Sequence, residues 1–104
     1  MPARRDEAER KEQAGVRTRV LSAMAAGAAG LRYISELTAR EVEGATRVQA
    51  VENGWMVDVE VVEDRRIPSS GDILALYQAE LDREGNLIAY QRKRRYRRGS
   101  SDNA

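Results

Sequence analysis

The side chains best suited to chemistry form two groups of opposite sign. One is the carboxylate set Asp58, Glu60, Glu63 and Asp64; the other is the run Arg92-Lys93-Arg94-Arg95-Tyr96-Arg97-Arg98. Asp58 and Glu60 stand two apart in an alternating segment, so on a strand they share a face, a spacing that paired-carboxylate acid–base chemistry uses. A solvated strand face has the same spacing. No apolar pocket is signalled around these residues, and no nucleophile with an adjacent base accompanies them. A divalent cation would be held only weakly, because no oxygen-rich calcium-loop spacing is present. The chain has no Cys and no His. This excludes disulfides, thiolate metal sites and thiol catalysis, and it removes the commonest metal ligand and general base. Neither a P-loop nor a dinucleotide glycine pattern occurs. The expectation is a protein that is not an enzyme and uses no cofactor or metal.

The cationic run offers a sharper choice. Its six cations, with Tyr90 and Tyr96 nearby, could meet phosphates and stack on bases. Six phosphate contacts on duplex DNA would give a log–log salt slope of about −5. The same cations could dock on an acidic protein surface through guanidinium–carboxylate forks. They could also protect a solvated sheet edge, or fold beside the chain's own carboxylates at Glu60, Glu63 and Asp64. The net charge of +1 conceals the segregation. Residues 36–84 carry twelve acidic and five basic side chains, whereas residues 92–98 carry six basic ones and no acid. An acidic body therefore ends in a cationic strand, which disfavours a polyanionic partner and favours a protein one.

A third feature lies between the two groups. In Arg65-Arg66-Ile67-Pro68, the proline fixes its own φ and biases Ile67 toward extended geometry, so the chain leaves the preceding strand sharply. Such a segment is a rigid connection, or a recognition loop that presents Arg65 and Arg66 beside apolar Ile67.

The elements that position these groups follow from periodicity. Residues 1–15 alternate acid and base without an apolar stripe and read as a charged flexible or frayed helical arm. From Val16 a helical period appears, with Val16, Val20, Met24, Leu31, Ile34 and Leu37 on one face and Ala28 filling the gap. Gly27 and Gly30 either admit a closely approaching strand or break this helix in two. Glu43-Gly44 is expected to end the helical region. Four strands follow: Thr46–Ala50; Trp55–Val61 after an Asn53-Gly54 turn; Ile73–Leu81; and Leu87 to about Arg97 after a turn at 82–86. Short connections make neighbours pair. The predicted fold is α+β, an N-terminal helix packed on a four-stranded antiparallel β-meander. Its expected core is Leu31, Ile34, Leu37, Trp55, Val57, Val59, Val61, Ile73 and Tyr77. Residues 16–98 form the domain and residues 99–104 a disordered tail. The longest apolar run falls far short of a bilayer span, and no apolar signal core is present, so a cytoplasmic location is expected.

Taken together, these segments resemble the gas vesicle synthesis protein GvpO family, its actinobacterial members in particular. The resemblance rests on the Arg-Arg-Ile-Pro turn at 65–68, the Asp-Ile-Leu-Ala-Leu-Tyr strand start at 72–77, and Glu80-Leu81-Asp82 with Gly85 and Leu87. It also rests on the closing Tyr-Gln-Arg and Arg-Arg-Tyr clusters of 90–98. Upstream, residues 35–44 and 53–63 fit the same family, so the match runs from about Leu31 to Arg98. The resemblance implies a non-catalytic accessory protein for gas vesicle formation or assembly that binds other gas vesicle proteins. The chain is too charged to resemble the hydrophobic wall protein. The residues expected to meet a partner are Arg65, Arg66, Ile67, Arg92, Lys93, Arg94, Arg95, Tyr96, Arg97 and Arg98. The implied location is cytoplasmic, in association with the vesicle. The rival readings are a nucleic-acid-binding regulatory module that uses the same basic strand, and a homo-oligomer paired through strand edges.

Overall fold

The computed structural model describes residues 21–99. The charged arm, Val16, Val20 and the tail beyond Gly99 lie outside them. The elements are helix α1 (Ala23–Thr38), strands β1 (Glu41–Val51) and β2 (Gly54–Asp64), a single 3-10 turn (Ser69–Gly71), and strands β3 (Ile73–Asp82) and β4 (Leu87–Arg97). The strands form one antiparallel sheet in the order β1-β2-β3-β4. This is the α+β meander that the alternating pattern predicts. Among the described residues, no helix is long and apolar enough to cross a membrane.

Ser22 opens α1, its Oγ accepting the Ala25 N–H at 3.0 Å, which satisfies one of the donors a helix start leaves orphaned. The helix runs unbroken through both glycines, so close approach, rather than a break, explains them. Its buried face is Ala26, Gly27, Ala29, Gly30 and Ile34. A Cβ placed on Gly30 would come within 2.6 Å of Val57 Cγ1. The helix therefore rests its small residues on the β-branched floor of β2. This corrects the predicted stripe. Met24, Ala28 and Leu37 are exposed and Leu31 is only half-buried, because a floor of valines leaves no room for large side chains directly beneath the axis.

The helix also ends earlier than the glycine signal suggested. Ala39 adopts the left-handed conformation (φ 57°) and its N–H donates to the Ser35 carbonyl at 2.9 Å. Glu41, Val42, Glu43 and Gly44 then belong to β1, whose register slips between Val42 and Gly44 and again between Ala45 and Arg47. The β1–β2 turn is centred on Glu52-Asn53, with Val51 opposite Gly54. Gly54 starts β2 instead of turning the chain. A Cβ there would sit 1.9 Å from the Leu81 carbonyl oxygen, so contact with β3 demands the glycine.

Between helix and sheet lies a core of Ala26, Ala29, Ile34, Trp55, Val57, Val59, Val61, Ala75, Ala79 and Leu81. Leu31 and Tyr77 pack against it as partly buried neighbours. Ile73 lies outside this cluster, half-buried under the loop that follows β2.

Candidate functional site

All ten residues expected to meet a partner lie at one end of the sheet. There β2 ends, residues 65–72 cross over, and β4 finishes. The local geometry starts with bulges. Glu63 is an extra residue of β2, and the β3–β4 register steps from Leu76–Arg94 to Tyr77–Arg92, leaving Lys93 extra. A bulge reverses which face the following side chains take. Simple alternation would put Arg92, Arg94 and Tyr96 together. Instead, Arg92 and Arg95 share the helix face with Tyr77 and Ala75, while Arg94 and Tyr96 share the outer face with Leu76 and Leu74.

On the helix face, Glu63 is the focus. Its side chain is only 9% exposed. It accepts hydrogen bonds from Arg92 Nη1 at 2.9 Å and Arg95 Nε at 2.9 Å. Its backbone carbonyl takes Arg40 Nη1, also at 2.9 Å. Burial alone would raise the Glu63 carboxyl pKa, but the hydrogen bonds from Arg95 and Arg92 outweigh it and leave the pKa lowered.

Asp72 is the second focus and is fully buried. Its Oδ1 accepts the Arg66 N–H at 2.7 Å; its Oδ2 accepts Arg98 Nη2 at 3.1 Å and Arg65 Nη1 at 3.3 Å. Its own carbonyl accepts the Arg98 N–H at 2.8 Å. The Arg66 hydrogen bond, opposed by burial and aided by Arg98, holds the Asp72 carboxyl below its ordinary pKa. Around it, Arg98 Nη1 donates to Glu43 at 3.0 Å and Arg65 Nη2 donates to Glu41. The Arg98 hydrogen bond lowers the Glu43 pKa. The Glu41 hydrogen bond raises that of Arg65, and the Glu43 hydrogen bond raises that of Arg98. One carboxylate thus ties both ends of the loop to the end of β4 and, through its arginines, to β1. The Ile67–Pro68 peptide is cis, and Ile67 projects fully into solvent.

The remaining carboxylates are used structurally. On the outer face Asp58 accepts Gln78 Nε2 at 3.0 Å and Glu60 accepts the Tyr96 hydroxyl; past the β2 bulge, opposite Ile73, Asp64 accepts Arg66 Nη2 at 2.8 Å. The Arg94 guanidinium lies 4.7 Å from the Tyr96 ring centroid, within cation–π range. The expected set therefore divides. Arg65, Arg66, Arg92, Arg95 and Arg98 are joined to acids, whereas Lys93, Arg94 and Arg97 have no carboxylate partner among the described residues. Sequence reasoning anticipated pairing at Glu60, Glu63 and Asp64 but did not single out Asp72, Glu41 or Glu43. An acid standing alone between Gly71 and an apolar strand, a few residues after two arginines, was the available signal for Asp72. Nothing local signalled that β1 would supply the two glutamates.

Comparison with known proteins bears directly on this arrangement. The model of the family described as gas vesicle synthesis protein GvpO matches residues 8–102, which takes in the loop, both charge foci and the whole sheet. The chain belongs to the GvpO family. It is similar to Gas vesicle protein O of Streptomyces sp. (strain CB03234), with 45% identity over 69 residues, 66% of this chain and 54% of that protein. It is also similar to Gas vesicle protein O1 of Halobacterium salinarum, with 36% identity over 64 residues covering 62% of this chain and 54% of that protein. Gas vesicle protein O of Haloferax mediterranei is 38% identical over 65 residues, 62% of this chain and 46% of its own length. The chain thus spans about half the length of the curated GvpO relatives it matches. No solved structure matches it.

Proposed function

We propose that this GvpO-family chain is a non-enzymatic accessory protein in gas vesicle formation, and that it works by binding other gas vesicle proteins through the charged end of its sheet. The observation that carries this reading is the division of the cations. Arg92, Arg95 and Arg98 are held by Glu63, Asp72 and Glu43, so they fix the scaffold. Lys93, Arg94 and Arg97 are exposed on that scaffold, with no carboxylate partner among the described residues. Guanidinium groups fixed in this way suit carboxylate recognition at an interface. The family supports the vesicle context, and the arrangement supports a binding role; the location is in association with the vesicle.

The same division weakens the nucleic-acid reading. With three outward cations instead of six, the salt slope on duplex DNA falls from about −5 to about −2.7, and the acidic residues of β1 and β2 lie close by.

The test is capture of gas vesicle proteins, identified by mass spectrometry, from a nuclease-treated vesicle-producing host at moderate salt. Wild type should capture them, and the Lys93→Glu/Arg94→Glu/Arg97→Glu variant should not. Undiminished capture by the variant would refute the reading.

A further inference from the structure

The loop at 65–72 borders a cleft of about 510 Å³ whose lining includes Arg66, Ile67, Pro68, Ser70, Ile73 and Arg97. A second hollow of about 360 Å³ shares Ser70 and Arg97 with it and is also lined by Arg98 and Gly99. A single exposed isoleucine on a protein surface is ordinary. Three further observations make Ile67 more than that. First, its loop is fixed: Asp72 receives the Arg66 N–H and the Arg65 and Arg98 guanidinium groups, so little ordering cost remains at binding. Second, Ile67 stands beside Pro68 and Ile73, which make one wall of the cleft apolar. Third, among the described residues neither hollow is lined by an acid. Of the cations there, Arg66 is matched by Asp64, and Arg98 by Asp72 and Glu43. Of these lining cations, only Arg97 has no carboxylate partner among the described residues.

We infer that this cleft receives an extended segment of a partner protein in which an aliphatic side chain is next to a carboxylate. The aliphatic group lies along Ile67, Pro68 and Ile73, and the carboxylate meets Arg97. Charge complementarity selects this occupant. Among the described residues the cleft carries one uncompensated positive charge beside an apolar wall, so a neutral apolar segment leaves Arg97 unpaired and a basic one is repelled. A phosphate backbone would answer the charge but waste the apolar wall. The inference rests on the protein-binding reading above and names the chemistry of the partner.

The test uses the full chain, labelled with nitrogen-15, titrated with a capped short peptide of alternating leucine and aspartate. Two control peptides replace aspartate by asparagine or leucine by serine. The expected result is amide shifts at Ile67, Ser70, Ile73 and Arg97, with affinity at least about tenfold weaker for either control peptide and for the Arg97→Gln and Ile67→Ser variants. Both substituted side chains are exposed, so unchanged melting curves should show that the fold survives. Absent shifts, shifts centred elsewhere, or equal binding of the asparagine peptide would overturn the inference. So would stronger shifts at the same amides from a short oligothymidylate. The capture assay separates the two readings. If Arg97→Gln/Ile67→Ser still captures gas vesicle proteins while Lys93→Glu/Arg94→Glu does not, the cleft assignment fails and the broader function stands. If neither loses capture, both fail.

Discussion

The two ends of the sheet are held together by different forces. At the end where β1 turns into β2 and β3 into β4, Trp55 and Leu81 are buried side by side in register, and the β3–β4 turn organises itself. There Asp82 Oδ1 accepts the N–H groups of Glu84 and Asn86, both at 2.9 Å. At the other end Asp72 uses the same acceptor chemistry over a much longer reach, drawing in Arg98 from 26 residues away. The apolar end needs only neighbouring residues and a helix to cover it. The charged end needs four strands to arrive in register before its carboxylates have anything to bind. Stability should therefore concentrate at the first end and presentation of a binding surface at the second.

Trp55→Ala tests the apolar end and should have the largest effect. Truncating a buried tryptophan costs about 3–5 kcal/mol, enough to unfold a domain of this size or nearly so, as circular dichroism melts would show. Asp72→Ala tests the charged end. It leaves the Arg66 N–H, Arg98 Nη2 and Arg65 Nη1 without their shared acceptor, and the melting midpoint should drop by on the order of 10 °C. Amide exchange should accelerate at 65–71 while remaining slow around Trp55. Equal acceleration at both ends would erase the distinction.

Acid should discriminate between the ends as well. Glu43, Glu63, Asp72 and Asp82 are all lowered in the folded chain, so the unfolded chain takes up protons first. The stability they confer is complete above the ordinary carboxylate values of about 4 and drains as pH falls through the lower folded values. Three of the four belong to the charged end. Asp72→Asn should flatten this acid limb more than Asp82→Asn does, measured as denaturation midpoint against pH. Glu63→Gln should cost only a few degrees in melting midpoint, because the amide still accepts one hydrogen bond. The smallest effect lies at the helix terminus. Ala39→Gly should stabilise by roughly 0.5–1 kcal/mol, since glycine takes the left-handed conformation without penalty.

The contrast also explains what was readable in the sequence. The apolar end was legible because its signals are local: Trp55, Val57, Val59 and Val61 alternate, and short turns bring neighbouring strands together. On α1 the period correctly marks Ile34 but also points to Met24, Leu31 and Leu37, whereas the valine floor selects the small residues Ala26, Ala29 and Gly30. Asn53-Gly54 reads locally as a turn, whereas Gly54 is required by close contact with Leu81, which comes from another strand. At the charged end, the cationic run and the loop were visible as features, but the division of labour within them was not. It depends on the bulges at Glu63 and Lys93, which reassign faces, and on Glu41 and Glu43, which a helix-ending glycine signal had placed outside the sheet.

The central claim is that the cations of residues 92–98 fall into two sets with separate jobs. Its most direct test pairs melting curves with capture of gas vesicle proteins for two triple variants, Lys93→Glu/Arg94→Glu/Arg97→Glu and Arg92→Gln/Arg95→Gln/Arg98→Gln. The account predicts that the first keeps the wild-type melt and loses capture, while the second melts well below wild type. A first variant that still captures, or that melts as low as the second, would contradict it.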